Sequence, residues 1–409
     1  MFVFLQTIRY LFLFTSLGTL LTPVICFSAE IPVGFASGVT GGGSAPAVHP
    51  RTVDELRTAL CATTDSHGAC TDTAPRVISL DRAFDFRGTV LSDGSPDVTE
   101  TGCMANVCTN GSGQWGIDGV THFCQSRPKT TITYDKAGLQ HLKIGSNKTL
   151  VGQGSKAGIK GIGLFVGDGA KNVIIRNLTI SDINPRVVWG GDALTLDNTD
   201  GVWIDHDTFA RIGRQMIVTG FGSASHVTIS DNEFDGRTQY SATCDGHHYF
   251  VWLFLGKDDT LTLAGNYIHH TSGRAPHSGG MNGAQVRAQL VNNLFSHLTY
   301  QGAIMSRTDT SYLLVEGNYF EDVTHPLFND SKQPGNAFAL FGSTAGDACQ
   351  STLGRKCVGN DVSSSGSDFT PQDQAVLDAF RLYRRYLVHP AAPSLTRVSV
   401  LNNAGVGHI

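Results

Sequence analysis

Six segments of the chain share one pattern of apolar and polar positions. In each segment apolar residues alternate with polar ones, a polar corner follows, and an apolar residue closes the pattern. Alternation with a period of two predicts short β-strands rather than helices. The segments are VIIRNLTISDI from 173, VWIDHDTFARI from 202, VTISDNEFDGR from 227, LTLAGNYIHHT from 261, AQLVNNLFSHL from 288 and LLVEGNYFEDV from 313.

Four of these segments place an asparagine two positions before the closing residue: Asn232, Asn266, Asn293 and Asn318. Their separations are 34, 27 and 25 residues, and Asp207 lies 25 residues before the first of them. A repeat of this length built from short strands is typical of a parallel β-helix, in which each repeat is one coil. A β-sandwich would show turn signals at a similar spacing, but it needs no asparagines in register. We therefore predict an all-β parallel β-helix with an internal asparagine ladder.

The open ends of such a solenoid expose strand edges and core, so we expect short capping helices at both ends. Near the amino terminus, TVDELRTAL begins at residue 52. Thr52 and Glu55 fit a capping box, and Val53, Leu56 and Leu60 share one helical face. This segment is predicted to be the amino-terminal cover.

The carboxy-terminal cover is predicted from TPQDQAVLDAFRLYRRYLV, which begins at residue 370. Thr370 is a candidate cap, and Pro371 stands at the first position of an expected amphipathic helix. Residues 331–369 are rich in Gly and Ser and predict a loop stapled by Cys349 and Cys357.

The first residues have the composition of a secretory signal peptide. One basic residue, Arg9, precedes an apolar stretch from 10 to 21, and small residues follow at Ser28 and Ala29. The stretch is too short for a membrane span, and no later segment is long and apolar enough to be one. We predict a signal peptide over 1–28 and one secreted β-helix domain over 29–409.

Cysteine usage agrees with secretion. Removal of the leader takes Cys26 and leaves eight of the nine cysteines, an even number that predicts disulfide bonds in an oxidising compartment. The absence of CxxC pairs argues against a zinc site. Sequons at Asn110, Asn147 and Asn329 are candidate glycosylation sites, whereas the sequon at Asn177 lies in a strand pattern and is interpreted as structural.

The charge balance limits the partners of the chain. The formal net charge is -5, and 16% of the residues are charged. This argues against binding to nucleic acid and against binding a polyanion by bulk attraction. We expect a monomer without a membrane partner.

Three stretches are candidates for chemistry. VVWGGDALTLDN spans 187–198 and contains Trp189 and Asp192, and HHTSGRAPHSGG spans 269–280 and contains Arg274 before a proline. The third, WIDHDTFARIGRQ over 203–215, carries Arg211 and Arg214 just before an apolar run. Two arginines at the edge of a predicted core strand need a partner or a function.

The order of motifs WGGDA, VWIDH, ARIGRQ, DGRTQYSATCDGHHY and SGRAP resembles the pectin lyases of polysaccharide lyase family 1. The resemblance covers roughly residues 100–360. It implies a single-stranded right-handed parallel β-helix that cleaves methyl-esterified homogalacturonan of plant cell-wall pectin by β-elimination. It also implies that the reaction needs no cofactor and no metal ion.

The resemblance assigns roles to single residues. Arg274 matches the family's proposed catalytic arginine, Asp192 and Arg214 match cleft residues, and Trp189 matches an aromatic residue of the cleft wall. It also implies the disulfides Cys103–Cys124, Cys108–Cys244 and Cys349–Cys357, which leaves Cys61 and Cys70 for a further bridge.

Three positions depart from the family pattern. His277 stands where a lysine often follows the catalytic arginine, and Phe250 stands where a tryptophan often follows HHY. Phe123 replaces another tryptophan before a cysteine. We keep His277 and Phe250 as candidate substrate-binding residues, whose changes bear on affinity and pH dependence more than on the reaction.

The chemistry also follows from the residue types. Elimination across a uronic ester removes the C5 proton, stabilises an enolate on the carbonyl oxygen and releases the O4 leaving group. A fixed guanidinium is a good donor to the enolate oxygen and can act without a metal. Because arginine has a pKa above about 12, enolate stabilisation is an easier role for Arg274 than that of general base, which the resemblance implies.

Other polar residues of these motifs have structural interpretations. Asp205 and His206 are interpreted as turn residues, and His247 and His248 as loop residues more than ligands. Arg211 is expected to be solvated or paired with an acid such as Asp207. Arg237 is as good a candidate for a loop anchor as for a ligand.

Two alternative functions remain open. A calcium-dependent pectate lyase would need several carboxylates around a cation, and ARIGRQMIV supplies none. A non-catalytic polysaccharide-binding solenoid would have lost its catalytic site. The presence of Arg274, Arg214 and Asp192 together argues against this. A hydrolase with paired carboxylates finds only weak candidates in Asp197 and Asp200.

Overall fold

A computed structural model of the chain describes residues 31–90, 94–109, 111–328, 335–342, 346–366 and 370–409. The predicted signal peptide over 1–28 and the sequons at Asn110 and Asn329 lie outside these ranges. Residues Pro32–Ile409 form one compact unit. Within the described ranges, no helix combines the length and the apolar run that crossing a bilayer requires.

The unit is a right-handed parallel β-helix built from three sheets, and a complete coil contributes a strand to sheet I, then to sheet II, then to sheet III. Sheet I contains Ala47–Val48, Arg76–Leu80, Lys148–Gly152, Lys171–Arg176, Thr199–Asp205, Ala224–Ser230, Asp259–Ala264, Val286–Val291, Ser311–Glu316 and Asn336–Ala339. Sheet II contains Ala83–Asp85, Gly158–Lys160, Thr179–Ile183, Thr208–Ile212, Glu233–Asp235, Tyr267–His269, Leu294–Leu298, Tyr319–Val323 and Asp361–Ser363. Sheet III contains His141–Ile144, Gly163–Gly167, Leu194–Asp197, Ile217–Thr219, Trp252–Phe254, His277–Ser278 and Met305–Ser306.

The core consists of columns of identical or similar apolar residues, because parallel pairing in register places equivalent side chains of successive coils above one another. In sheet II, Phe209 stacks on Phe234 with ring centroids 5.0 Å apart, and Phe295 stacks on Phe320 at 4.8 Å. In sheet I, one fully buried column consists of Ile175, Ile204, Ile229, Leu263, Leu290 and Val315.

The predicted asparagine ladder is present at the turn from sheet I to sheet II. The backbone N–H and the Nδ2 group of each asparagine donate to Oδ1 of the next at 2.9–3.1 Å. The ladder is longer than predicted, because Asn318 donates in the same way to Asn360, inside the segment interpreted as a loop. Asp207 begins it, and its N–H donates to Oδ1 of Asn232 at 2.8 Å.

The two remaining sequons lie on the β-helix. Asn177 is buried and donates from Nδ2 to the carbonyl of Gly152 at 2.9 Å, so its structural interpretation is confirmed. Asn147 donates from Nδ2 to the carbonyl of Thr73 at 2.8 Å, and its Oδ1 accepts from Asn172 at 2.9 Å. Both amide groups therefore hold neighbouring coils together.

The amino-terminal cover is helix α1, Val53–Leu60, as predicted. The Thr52 hydroxyl accepts from the N–H of Glu55 at 3.1 Å. The carboxylate of Glu55 accepts from the N–H of Arg51 rather than that of Thr52, so the reciprocal half of the box is displaced by one residue. Leu56 and Leu60 are fully buried against the first coils.

The carboxy-terminal cover differs from the prediction. After the short helix α2, Gln350–Leu353, helix α3 spans Gln374–Phe380, and Asp373 rather than Thr370 precedes it. Pro371 is not in the helix, because its carbonyl accepts from the N–H of Ala339 at 2.9 Å and the segment lies along the last strand of sheet I. A 3-10 helix over Arg381–Tyr386 follows, and an unpredicted helix α4 spans Pro393–Asn403.

Outside the coils, a small antiparallel sheet consists of Asp97–Met104, Trp115–Ile117 and Thr130–Asp135. The other short 3-10 helices span Gly34–Ala36, Lys136–Leu139 and Asp347–Cys349. The structure contains four disulfides, the pairs that the resemblance implied and the further bridge: Cys61–Cys70, Cys103–Cys124, Cys108–Cys244 and Cys349–Cys357.

Candidate active site

A cavity of about 520 Å³ lies beside the turns that lead from sheet II to sheet III. Four of the predicted site residues line it: Trp189, Arg214, Phe250 and Arg274. The other lining residues are Ala105, Asn106, Phe123, Arg127, Val188, Ala242, Thr243, Tyr249 and Tyr300. Segments that are far apart in the chain therefore meet at one site.

Asp192 and Arg214 come from successive coils, each just before a strand of sheet III. Arg214 Nη1 lies 3.3 Å from Asp192 Oδ2, and the N–H of Gln215 donates to Asp192 Oδ1 at 2.8 Å. Both carboxylate oxygens are thus engaged. The Arg214 side chain remains 29% exposed, so its guanidinium reaches the cavity while Asp192 holds it from behind.

His248 fixes the backbone at Arg214. Its Nε2 lies 2.8 Å from the carbonyl of Arg214 and 3.0 Å from that of Phe250. Carbonyl oxygens only accept, so Nε2 carries the proton and donates to both. Burial lowers the pKa of His248 to about 4, which keeps the ring neutral. The structural interpretation of this histidine agrees with these contacts.

Arg274 lies on a turn with a left-handed backbone conformation, φ +54°, before Pro276. Its guanidinium carbon is 5.3 Å from the ring centroid of Tyr249 and 5.2 Å from that of Phe250. Burial lowers the pKa of Arg274, the neighbouring Tyr249 opposes this, and the charges of Arg214 and Arg307 lower it further. Arg274 is therefore a partly desolvated cation placed near two others.

Two segments outside the regular coils form the cavity walls. On one side, the ring of Phe123 meets Trp189 edge to face at 4.7 Å, and Arg127 lies over Phe123 at 4.5 Å. Cys103–Cys124 holds this wall to the small antiparallel sheet. Cys108–Cys244 joins it to the loop between the strands Glu233–Asp235 and Trp252–Phe254.

The structure does not bring His277 into the cavity wall. His277 lies in a two-residue strand of sheet III, paired with Leu253 and Met305. In this strand Ser278 is buried and His277 is half-buried, so the His277 side chain lies on the outer face of sheet III. Its role as a substrate-binding residue stays a prediction.

The neighbouring arginines have structural partners. Arg211 pairs with Asp182, with Nε 2.6 Å from Oδ1, and not with Asp207. Asp207 is unavailable because it is buried in the ladder. Arg237 pairs with Asp235 at 2.7 Å as a loop anchor. The two arginines of ARIGRQ thus separate into one structural residue, Arg211, and one that reaches the cavity.

Five polar lining residues were not identified as candidates from the sequence: Asn106, Arg127, Thr243, Tyr249 and Tyr300. Tyr249 lies inside HHYF, where the two histidines are the more obvious candidates for chemistry. Arg127 and Tyr300 lie in loops with no periodic pattern, so nothing in the sequence placed them near Arg274.

The donor set suits chemistry in which negative charge develops on an oxygen atom. Three arginines line the cavity, and their fixed charges could receive negative charge that develops on an oxygen. Among the described residues, three groups of His, Cys, Asp or Glu have metal-ligand spacing, and none includes Asp192. The aromatic walls offer flat surfaces for sugar rings.

Comparisons with known proteins agree with this geometry. A family model described as pectate lyase matches residues 116–409. A probable pectin lyase F of Neosartorya fischeri is 42% identical over 386 residues, covering 92% of this chain and 95% of the relative. Pectin lyase B of Emericella nidulans is 42% identical over 380 residues, covering 92% and 93%.

A solved structure shows the same fold. The pectate lyase of Bacillus sp. N165, in complex with trigalacturonate, aligns with a TM-score of 0.55 at 19% identity, covering 92% of this chain and 99% of the other. A probable pectin lyase B of Aspergillus niger adds 43% identity over 378 residues, covering 91% and 92%. The chain therefore belongs to the pectin lyases of polysaccharide lyase family 1.

Proposed function

We propose that this protein is a secreted pectin lyase that cleaves methyl-esterified homogalacturonan by β-elimination and leaves 4,5-unsaturated products. The names of its relatives, which align over nine-tenths of the chain, support this proposal. The observation that carries it is the convergence of Arg274 and Arg214 on one aromatic-walled cavity.

The reaction has three requirements. The C5 proton must leave, the resulting enolate must be stabilised on the carbonyl oxygen, and the bond from C4 to the leaving oxygen must break. A methyl ester is uncharged, so its carbonyl already acidifies the C5 proton. The guanidinium groups of Arg274 and Arg214 would donate to the enolate oxygen, where negative charge develops.

Arg274 has the central role in this scheme. As a cation it stabilises the enolate, and it loses little by desolvation at the moment of reaction because it is already buried. Burial and the neighbouring arginines lower the pKa of Arg274, which is also the direction that a role as general base requires. We assign it enolate stabilisation, which does not require loss of its proton. The C5 proton then passes to water, and the leaving O4 takes a proton from water in return, so the elimination balances.

Calcium is not required in this proposal. Calcium sites take six to eight oxygen ligands, usually with several carboxylates. Asp192 is the carboxylate beside the cavity, and its oxygens already accept from Arg214 and Gln215. The positive charge that a cation would supply comes from Arg214.

Two other functions are less well supported. A calcium-dependent pectate lyase would need the carboxylate set that is missing around Asp192 among the described residues. A non-catalytic solenoid would have no reason to keep Arg274 buried among like charges. The description of the matching family model, pectate lyase, favours the first alternative, but the relatives that are 42% identical over 92% of the chain are named pectin lyases and outweigh it.

We further propose that the protein is extracellular and acts as a monomer. The leader-like segment over 1–28 and the four disulfides support secretion. One chain supplies every lining residue of the cavity, so the proposed site needs no partner subunit.

Purified protein should be incubated with highly methylated pectin and, separately, with polygalacturonate. A C4=C5 double bond conjugated with the carbonyl absorbs in the ultraviolet, and this absorbance should rise with the methylated substrate. New reducing ends without absorbance would indicate hydrolysis and refute the proposal. Faster reaction on polygalacturonate would mean that the three arginines bind free carboxylates instead of esters.

A further inference from the structure

Tyr249 packs directly against the turn that carries Arg274. A Cβ atom on Gly273, the residue before Arg274, would lie 2.5 Å from Cε2 of the Tyr249 ring. The absence of a side chain at Gly273 thus permits the ring to lie on the backbone of this turn. The position of the ring and the position of Arg274 are coupled through one peptide unit.

The hydroxyl group of Tyr249 has a partner outside this turn. It donates its proton to Oε1 of Gln301, in the loop of the next coil. The ring of Tyr249 lies beside the Arg274 guanidinium, whose carbon is 5.3 Å from the ring centroid. Gln301 therefore holds the ring, and the ring orients the guanidinium by a cation–π contact.

The surroundings of Arg274 make such a chain necessary. Arg214 and Arg307 are close enough to act on it electrostatically, and both repel it. The Nε group of Arg274 is buried without a hydrogen-bond partner. Arg214 is held by a carboxylate, Asp192, but an acid beside Arg274 would compete with the enolate oxygen for its donors. A neutral ring orients the guanidinium and leaves its charge and its N–H donors available.

We propose that Tyr249, held by Gln301, is the positioning residue for Arg274 in the elimination reaction. This inference rests on the proposed function. The ring of Tyr249, held through its hydroxyl, and the neighbouring ring of Phe250 both lie beside the guanidinium and limit its movement. The substrate carbonyl then meets donors that are already aligned, which lowers the barrier of the chemical step rather than the affinity.

The test compares single and double variants on highly methylated pectin. Tyr249→Phe removes the hydroxyl and keeps the ring, and Gln301→Met removes the acceptor at similar volume. Each should lower kcat by about tenfold, as expected when the loss of one hydrogen bond releases the ring that aligns Arg274, with KM within about threefold of wild type. Because the two residues act in one chain, the double variant should be no slower than Tyr249→Phe alone.

Two further variants separate positioning from general damage. Gln301→Glu retains an oxygen acceptor for the Tyr249 hydroxyl and should keep more activity than Gln301→Met. Tyr240→Phe is the matched control, because Tyr240 lies in the same loop with its ring 5.2 Å from another arginine, Arg186, outside the cavity. Its kcat should equal that of wild type.

The inference is overturned if Tyr249→Phe keeps its kcat, if losses in the two single variants multiply in the double variant, or if the change falls on KM alone. If Tyr249→Phe does not fold, the comparison of Gln301→Glu with Gln301→Met decides, and equal rates would overturn the inference. Wild-type protein that forms no unsaturated product from methylated pectin would refute the proposed function instead.

Discussion

Arg214 and Asp192 form an ion pair between successive coils, with Nη1 and Oδ2 3.3 Å apart. The N–H of the following residue, Gln215, occupies the second oxygen of Asp192. The Asp192 carboxylate therefore holds the guanidinium of Arg214, a cation that is part of the protein. The same coil geometry that repeats along the solenoid places this fixed charge beside Arg274 in one cavity.

Arg274→Lys should lower turnover by about a hundredfold or more and leave the fold intact. A lysine keeps the charge but loses the planar fork of donors, and loss of one transition-state donor costs about 2.7–4 kcal/mol. The measurement is kcat on methylated pectin, with the melting temperature as a check of folding. Arg237→Lys, in an ion pair outside the cavity, is the matched control. A folded Arg274→Lys enzyme with near-normal turnover would remove Arg274 from the centre of the mechanism.

Loss of the disulfide Cys108–Cys244 should reduce both stability and catalysis. It joins the two cavity walls and closes a sequence separation of 136 residues, so the double alanine variant should unfold at lower temperature and show a lower kcat/KM. Cys61–Cys70 closes a sequence separation of 9 residues and lies away from the cavity, so it provides the comparison. Its removal should cost less stability and leave kcat/KM unchanged. Equal kcat/KM in the two double variants would contradict a role for the bridge in the walls.

Asp207→Asn should stabilise the protein at neutral pH. Asp207 stands at a ladder position, its Oδ2 is buried without a partner, and burial raises the pKa of Asp207 well above its ordinary value. An asparagine would donate from Nδ2 to Asn232 as the other ladder residues do, a gain of about 1 kcal/mol.

The sign of the pH dependence follows from the raised pKa. The folded protein retains a proton on Asp207 that the unfolded chain releases near its ordinary pKa. Stability from this site is therefore complete at low pH and is lost as pH rises towards the folded pKa. Melting temperatures at pH 4 and pH 7 should show a larger gain for Asp207→Asn at pH 7. A gain that is equal at both values would contradict the assignment.

Asp259→Asn should have the opposite effect on stability. Burial raises the pKa of Asp259 to about 7, but its oxygens accept from the Thr219 hydroxyl at 2.6 Å and from the N–H groups of Ala224 and Gly256 at 2.8 and 3.0 Å. An amide would turn a donor towards at least one of these donors, at a cost of about 1–3 kcal/mol. Thermal unfolding at pH 7 measures it, and an unchanged melting temperature would show that the three bonds contribute nothing.

The solenoid was predictable because its signal repeats. Coils that stack in register need apolar and polar residues in alternation and an asparagine at each turn. The sequence therefore shows both, in the six segments and in the spacing of Asn232, Asn266, Asn293 and Asn318. Asn360 was missed because it lies 42 residues after Asn318, in a Gly- and Ser-rich segment that masks its strand. Helix α3 begins after Pro371 because Pro371 and Gln372 pair with the edge strand Asn336–Ala339 of sheet I. Local capping preferences do not encode such a contact between distant residues.

The candidate site was predictable only in part. Arg274, Arg214, Asp192 and Trp189 came from resemblance, and the structure brings them together. Tyr249 and Arg127 became visible only in the fold, since loops of unrelated sequence position them.

The most direct test of the central claim, that a fixed arginine replaces a metal ion, is the initial rate on highly methylated pectin in excess chelator, with and without added calcium. Wild-type protein should keep nearly its full rate in chelator, and calcium should add nothing. Arg214→Ala should lose most activity, and calcium should not restore it, because Asp192 alone cannot hold the ion. If chelator abolishes the wild-type rate and calcium restores it, Arg214 does not supply the positive charge and the account is wrong.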